Sequence, residues 1–369
     1  MRTAIISDLH LGSSSGEDVL RDAAIRRTLL EEIGAADRVV LLGDVVELRG
    51  LPLREALAAA RPFFEDLGAA LGDSEVVLVP GNHDHRFAEA LLDRVSVSDA
   101  ALALENRFAP CPGPSAQIDQ WLGDARLELS YPGAWLRDDV YATHGHYMDC
   151  HLSLPRAECL AAAAVMRATR PLPDPATPAE YERVLRPIYG LTFGLAQSHA
   201  RRAAGATGRR PSEAAWQLIG GSHGTSGLRR RMARAVARAG VPAAVWALNR
   251  ALKSGFEADV SATGISRSGI AGAIETAARL RIEAAHVITG HTHRAGPLDD
   301  EEPWAIPGGG RLHNSGCWVF ASAFHHPGTP PGPYWPGTVT WLEDSLAPKR
   351  VRLLTGHRRE ELLRQATRR

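Results

Sequence analysis

Five short polar clusters, each directly behind an apolar run, constrain this chain more than any other feature. They are Asp8-Leu9-His10, Gly43-Asp44-Val45-Val46-Glu47, Gly81-Asn82-His83-Asp84, His144-Gly145-His146 and Gly290-His291-Thr292-His293. The runs at 3–7, 38–42, 75–79 and 284–289 are short and mostly apolar, so they read as buried strands. A stretch of helical spacing follows each of the first three, at 17–33, 52–71 and 84–95. This βαβαβα order predicts an α/β domain with its polar residues at the carboxyl ends of strands. Open α/β sheets bind ligands there. Gly43, Gly81, Gly145 and Gly290 are expected to carry the tight turns that follow the strands.

The remainder divides by texture. Residues 125–143 read as strands broken at Tyr131-Pro132-Gly133. Residues 147–283 are Ala- and Arg-rich with helical spacing, enough for a subdomain. Thr177-Pro178-Ala179-Glu180 is a capping box, behind a stiff stretch holding Pro171, Pro173 and Pro175. Strand texture returns at 284–289, 312–320, 338–342 and 350–354. The expected organisation is a core at 1–146, a helical insertion at 147–283, the second part of the core at 284–357, and a C-terminal helix or tail at 358–369.

Charge and cysteine content narrow the setting. Lys+Arg and Asp+Glu both number 42, so no net field draws the chain to nucleic acid or an anionic surface. The 4 Cys form no CxxC pair, which fits a reducing compartment better than a disulfide framework. The first strand begins almost at once, leaving no room for a signal peptide, and no apolar run is long enough to span a bilayer. These observations point to a cytoplasmic protein.

The clusters share one chemistry. Asp8, His10, Asp44, Asn82, His144, His291 and His293 offer carboxylate, amide and imidazole donors. Such a set suits Mn²⁺, Fe or Zn²⁺ and suits neither Ca²⁺ nor a thiolate site. It also exceeds what one ion needs. Two ions sharing a carboxylate, roughly 3.5–4 Å apart, would use all of it. Any one cluster alone is an ordinary polar turn. All of them, in this order and at strand ends, are a different matter.

The pattern D-x-H, G-D-x-x-(D/E), G-N-H-(D/E), H-G and G-H-x-H resembles that of the calcineurin-like metallophosphoesterase superfamily. The resemblance implies an α/β/β/α sandwich, with two central mixed sheets flanked by helices and the helical insertion as a lid. It implies that Asp8 and His10 bind one ion with His293. Asn82, His144 and His291 would bind the second, and Asp44 would bridge both. His83 becomes the catalytic histidine beside the leaving group, with Asp84 orienting it. The implied reaction is in-line attack by a metal-bridging hydroxide on a phosphate ester or pyrophosphate bond. Mn²⁺ is the implied cofactor, with Fe, Zn²⁺ or Mg²⁺ as alternatives. Ile6-Ser7-Asp8-Leu9-His10-Leu11-Gly12, Glu47, Arg294 and Asn314-Ser315-Gly316-Cys317-Trp318 are similar to the UDP-2,3-diacylglucosamine pyrophosphatase branch. The chain departs from that branch at His83, where the branch has Arg, and in its longer insertion.

Further candidates lie nearby. Arg86, His146 and Arg294 flank the metal motifs and could touch substrate. His146, Asp149 and His151 follow His144 closely; they could touch substrate, support the ligands from behind, or merely satisfy a polar turn. In the insertion, Arg229, Arg230, Arg231, Arg234 and Arg238 precede Val241, Val245, Trp246 and Leu248. That stretch reads either as a peripheral membrane contact or as a solvated helix packed through Trp246. The expected substrate is a small or lipid-linked phosphate. A nuclease or cyclic-nucleotide phosphodiesterase is the alternative among enzymes, and a catalytically silent scaffold is the alternative outside them. Zero net charge and few aromatics near the motifs weigh against long nucleic acid.

Overall fold

The computed structural model describes residues 1–98, 100–198, 242–259, 261–325 and 329–367. Its strands are β1 (Arg2–Ile6), β2 (Arg38–Leu42), β3 (Glu75–Val79), β4 (Glu105–Phe108), β5 (Arg126–Arg137), β6 (Val140–Thr143), β7 (His286–Thr289), β8 (Ala295–Gly296), β9 (Trp304–Ala305), β10 (Arg311–Ser315), β11 (Thr338–Glu343) and β12 (Lys349–Arg352). They form one mixed ladder in the order β12-β11-β1-β2-β3-β5-β6-β7-β10-β8, with β4 on β5 and β9 on β10. The two sheets expected from the resemblance are thus halves of one curled sheet.

Strand β5 makes the curl. Its first half pairs in parallel with β3, and its second half pairs antiparallel with β6. The chain was expected to break at Tyr131-Pro132-Gly133. Instead the strand runs on and turns there, because Pro132 and Gly133 both face Glu105 of β4 at a bulge. A bulge bends a strand, and a residue without an N–H is tolerated at one. The strand reading of 312–320 also shortens, since β10 ends at Ser315 and left-handed Gly316 turns the chain away.

Alternating side chains fill both faces of the curl. Ala4, Ile6, Val39, Leu41, Val76 and Leu78 pack on one side with α1 (Ala23–Ile33), α2 (Leu53–Leu71), α3 (Glu89–Ser96) and α4 (Pro114–Leu122). Their neighbours Ile5, Val40, Leu42, Val77 and Val79 meet Ala134, Leu136, Val140, Ala142 and Ile288, all from strands. Beyond these, Tyr141, Val287 and Leu312 pack with Ala273 and Ala277 of the helix Ala262–Arg279. The layers therefore run helix, sheet, sheet, helix. Each fully buried aliphatic contributes roughly 1.5–3 kcal/mol.

Between β6 and β7 the described residues are helical: α5 (Ala157–Ala168), α6 (Pro178–Gln197), residues 242–252, and Ala262–Arg279. Glu180 accepts from the Thr177 N–H at 2.8 Å, closing the expected start of α6. Buried ion pairs tie this segment to the core. Glu182 of α6 accepts from His85 at 3.0 Å, from Tyr147 at 2.7 Å, and from the Tyr131 hydroxyl. Glu158 of α5 accepts from Arg49 at 2.7 Å. Arg229, Arg230, Arg231, Arg234, Arg238 and Val241 lie outside the described residues. Among the described residues no helix is long and apolar enough to cross a membrane.

Candidate metal centre

Every cluster sits just past the carboxyl end of a strand: Asp8 and His10 after β1, Asp44 after β2, Asn82 and His83 after β3, His144 after β6, His291 and His293 after β7. In a flat sheet the ends of β6 and β7 would point away from those of β1–β3, since β6 is antiparallel to β5. The turn within β5 brings both sets to one edge. Three groups of donors then converge there within 4.8 Å: Asp8, His10 and His293; His10, Asp44 and His83; and Asp44, His144 and His291. His10 and Asp44 each belong to two groups, so the three form one continuous centre.

The backbone beneath is strained in an informative way. The turns were expected to fall on glycines. Gly43 and Gly145 do take left-handed φ of 79° and 98°, but so do the donors: Asp8 at 55°, His10 at 46°, Asp44 at 51°, His291 at 67° and His293 at 59°. A left-handed residue that is not glycine costs roughly 1–2 kcal/mol, and such residues concentrate at functional sites. Gly81 and Gly290 serve another purpose. A Cβ at 81 would stand 2.4 Å from Asp44 Oδ1, and one at 290 would stand 2.5 Å from Asp8 Oδ2.

Hydrogen bonds fix which ring nitrogens face the centre. His144 donates from Nδ1 to the Leu42 carbonyl at 3.0 Å, which leaves Nε2 inward. His291 donates from Nε2 to Asp149 Oδ1 at 2.9 Å, which leaves Nδ1 inward. Glu47 Oε2 accepts from Nδ1 of His10 at 3.2 Å and of His83 at 2.7 Å. Carboxylates and carbonyls behind histidines in this way set the tautomer and are typical of metal sites. The inward atoms then meet one another. His10 Nε2 is 3.1 Å from His293 Nε2, His144 Nε2 is 3.3 Å from Asp44 Oδ2, and His291 Nδ1 is 3.1 Å from Asn82 Oδ1. Asp8 Oδ1 is buried, makes no hydrogen bond among the described residues, and lies 3.3 Å from His293 Nε2.

Acceptors aimed at acceptors, plus an orphaned buried carboxylate oxygen, fit divalent cations of the Mn, Fe or Zn type. Asn82 has two settings. With its oxygen inward it joins the donor set. Turned over, it would donate to Asp44 at 3.2 Å and accept from Arg49 at 2.8 Å. Electrostatics agree with a cation site. Burial alone would lower the His144 pKa, yet Asp44, then Asp8, raise it to about 10. Burial alone would raise Asp44, yet His144, His83 and His10 hold it well below the carboxylate range. The site is a negative field drawing positive charge inward.

His83 lies at the margin. Its N–H donates to Asp44 Oδ1 at 2.8 Å, and its ring packs edge-on against His10 at 4.6 Å. Burial lowers its pKa to about 4 against the opposing pull of Glu47 and Asp44. Asp84 was expected to orient His83, and the structure gives it a different place. Its carboxylate accepts from the N–H groups of Gly81 at 2.7 Å, Asp44 at 3.3 Å, Val45 at 2.7 Å and Val46 at 3.3 Å. Asp84 clamps two loops, because their strand-end N–H groups otherwise have no acceptor. Glu47 is the side chain that holds His83.

The other candidates separate. Asp149 stands behind His291. His146 is buried among aromatic rings, with Nε2 3.1 Å from the Tyr131 hydroxyl. His151 hydrogen-bonds the Tyr181 hydroxyl at 2.7 Å. Arg294 is buried, pairs with Glu301 and lies 4.8 Å over Trp304. Arg86 is exposed, 5.7 Å from the ring of Phe193. Glu47 and Asp149 could be suspected from their places in or beside the motifs. The role of Arg49, which links Glu158 to the Asn82 amide, has no local signal.

With this geometry in view, comparison with known families is decisive on one point. Residues 1–176 match the family model for calcineurin-like phosphoesterases. That family consists of metal-dependent hydrolases acting on phosphate esters, and the chain is an enzyme of this class. Its curled mixed sheet flanked by helices is the metallophosphoesterase fold. No curated protein matches the chain.

Proposed function

We propose that this phosphoesterase holds two divalent ions, Mn²⁺ for preference, and cleaves a phosphate ester or pyrophosphate bond in a small or lipid-linked substrate. The observation that carries this reading is the convergence of inward acceptors around Asp44. Asp8, His10 and His293 would hold one ion. Asn82, His144 and His291 would hold the other, with Asp44 between them. Such ions supply an acidified water and neutralise phosphoryl oxygens. The chain's own part is positional. Glu47 and Asp149 keep the lone pairs of His10 and His291 directed inward. Glu47 also keeps His83 with Nδ1 engaged and Nε2 free to meet the leaving oxygen. A phosphoryl dianion beside His83 would raise its low pKa and let Nε2 carry a proton to that oxygen.

The test is hydrolysis of bis-p-nitrophenyl phosphate with added Mn²⁺. Activity should vanish in His83→Ala and Asp44→Asn. Equal rates in wild type and both variants would show a contaminant and end the proposal. An apolar substrate moiety is favoured by exposed side chains on the insertion: Leu191 and Leu195, one turn apart on α6, and Trp246. Co-sedimentation with anionic liposomes at low salt is expected, and absence of pelleting at both low and high salt would end that part.

A further inference from the structure

The turn Gly290-His291-Thr292-His293 carries one donor for each half of the metal centre. His291 groups with Asp44 and His144, and His293 groups with Asp8 and His10. Both histidines have left-handed backbones, at φ 67° and 59°, so the turn is strained and must be held from outside. Only Thr292 separates them.

Thr292 is gripped on two sides. Its hydroxyl accepts from Asn314 Nδ2 of β10 at 3.0 Å. The same nitrogen donates to the Gly290 carbonyl at 2.7 Å, and Asn314 Oδ1 accepts from the Gly316 N–H at 3.0 Å. One asparagine thus pins the start and the middle of the turn. On the other side stands the insertion's helix Ala262–Arg279. A Cβ at Gly269 would lie 3.0 Å from Thr292 Cγ2, tighter than Cβ contacts ordinarily are. A Cβ at Gly272 would lie 2.9 Å from Leu152 Cδ2 and 3.4 Å from Met148 Cβ. Met148 precedes Asp149, whose carboxylate stands 2.9 Å behind His291. Residues three apart share a helix face. The same glycine-bearing face therefore rests on the Thr292 turn and on the segment that backs His291.

We propose that Thr292 is a positioning residue, held jointly by the insertion helix and Asn314, that fixes His291 and His293 relative to each other. The claim rests on the two-ion reading, in which these histidines serve different ions. It gives residues 147–283 a part in setting the separation of those ions. The pinned hydroxyl restrains rotation of the side chain, so pressure on its methyl group passes to the turn itself.

The experiment adds a methyl group to the helix and removes the one it would meet. Mn²⁺ is titrated by calorimetry into metal-free wild type, Gly269→Ala, Thr292→Ser and the double variant. EPR spectra of the Mn²⁺-loaded forms report coupling between the ions. Alanine is the better helix former, so a loss in Gly269→Ala comes from the contact and not from a weakened helix. Gly269→Ala should bind Mn²⁺ about tenfold more weakly, as changes behind metal ligands typically do. Its exchange-coupled EPR signal should give way to that of isolated ions. Thr292→Ser keeps the hydroxyl and removes the methyl, so the double variant should match Thr292→Ser in affinity and spectrum. Wild-type affinity in Gly269→Ala, or an equal loss from Gly269→Ala in both backgrounds, would overturn the proposal. If wild type takes up a single Mn²⁺, the two-ion reading fails, while loss and recovery of that ion's affinity in the same variants would still support Thr292 as the residue that places the turn.

Discussion

Replacing Glu47 by Gln preserves shape and removes one charge, and the structure says what must follow. Glu47 Oε2 accepts from His83 Nδ1 at 2.7 Å and from His10 Nδ1 at 3.2 Å, and Oε1 accepts from the Arg49 N–H at 2.9 Å. A glutamine has one oxygen for these two places. With its oxygen toward the histidines, its NH₂ meets the Arg49 N–H, donor against donor. With its NH₂ toward the histidines, both Nδ1 atoms must become acceptors and the ring protons move to Nε2. His10 would then present a proton where an ion needs a lone pair. Each hydrogen bond to a charged group is worth about 1.5–3 kcal/mol, and groups standing behind metal ligands typically change affinity or rate by about 10–100-fold. Glu47→Gln should therefore bind its first Mn²⁺ at least tenfold more weakly by calorimetry. Its kcat on bis-p-nitrophenyl phosphate at saturating Mn²⁺ should fall by a similar factor through His83. If affinity and kcat both stay within twofold of wild type, Glu47 does not orient these rings and the reasoning is wrong.

Other expectations follow from the same geometry. Gly290→Ala places a Cβ 2.5 Å from Asp8 Oδ2. Overpacking of this kind costs about 1–3 kcal/mol, so metal content after dialysis should drop while far-UV circular dichroism is retained; full Mn²⁺ occupancy would contradict this. The insertion's attachment should depend on pH. Burial opposes a charged His85, but Glu182 and Glu89 raise its pKa to about 9. A group raised from about 6.5 to about 9 contributes its full stability below pH 6.5 and loses it as pH climbs through 9. Glu89, lowered to about 2 despite burial by His85 and Arg186, keeps its contribution above about pH 4.5 and loses it as pH falls through 2. Proteolytic nicking within 147–283 should accelerate between pH 6.5 and 9 in wild type, and Glu182→Gln should flatten that dependence. A wild-type rate independent of pH after correction for the protease would refute the role of the pair.

Much of the fold and of the donor set could be read from residue order alone. β2 and β3 coincide with the apolar runs at 38–42 and 75–79. The reason is local: a fully buried strand must be apolar throughout, and its end must be polar where the chain turns into solvent or ligand. The donor types also announce themselves, since aspartate, asparagine and histidine at strand ends have little packing reason to be there.

Tertiary structure decided the rest. Whether β6 and β7 point their ends at β1–β3 or away depends on the turn within β5, and Tyr131-Pro132-Gly133 reads equally well as a break. Asp84 sits beside His83 in sequence but spends its carboxylate on N–H groups from two loops, one of them 40 residues distant, as in Asp44 N–H to Asp84 at 3.3 Å. Glu47 takes the place behind His83 because the loop after β2 lies against the loop after β3. Left-handed φ angles at Asp8, His10, Asp44, His291 and His293 carry no sequence signal, because nothing in an aspartate or histidine requires them. Short-range patterns record what each residue must bury or expose, whereas partners across the chain are chosen only when the sheet has closed.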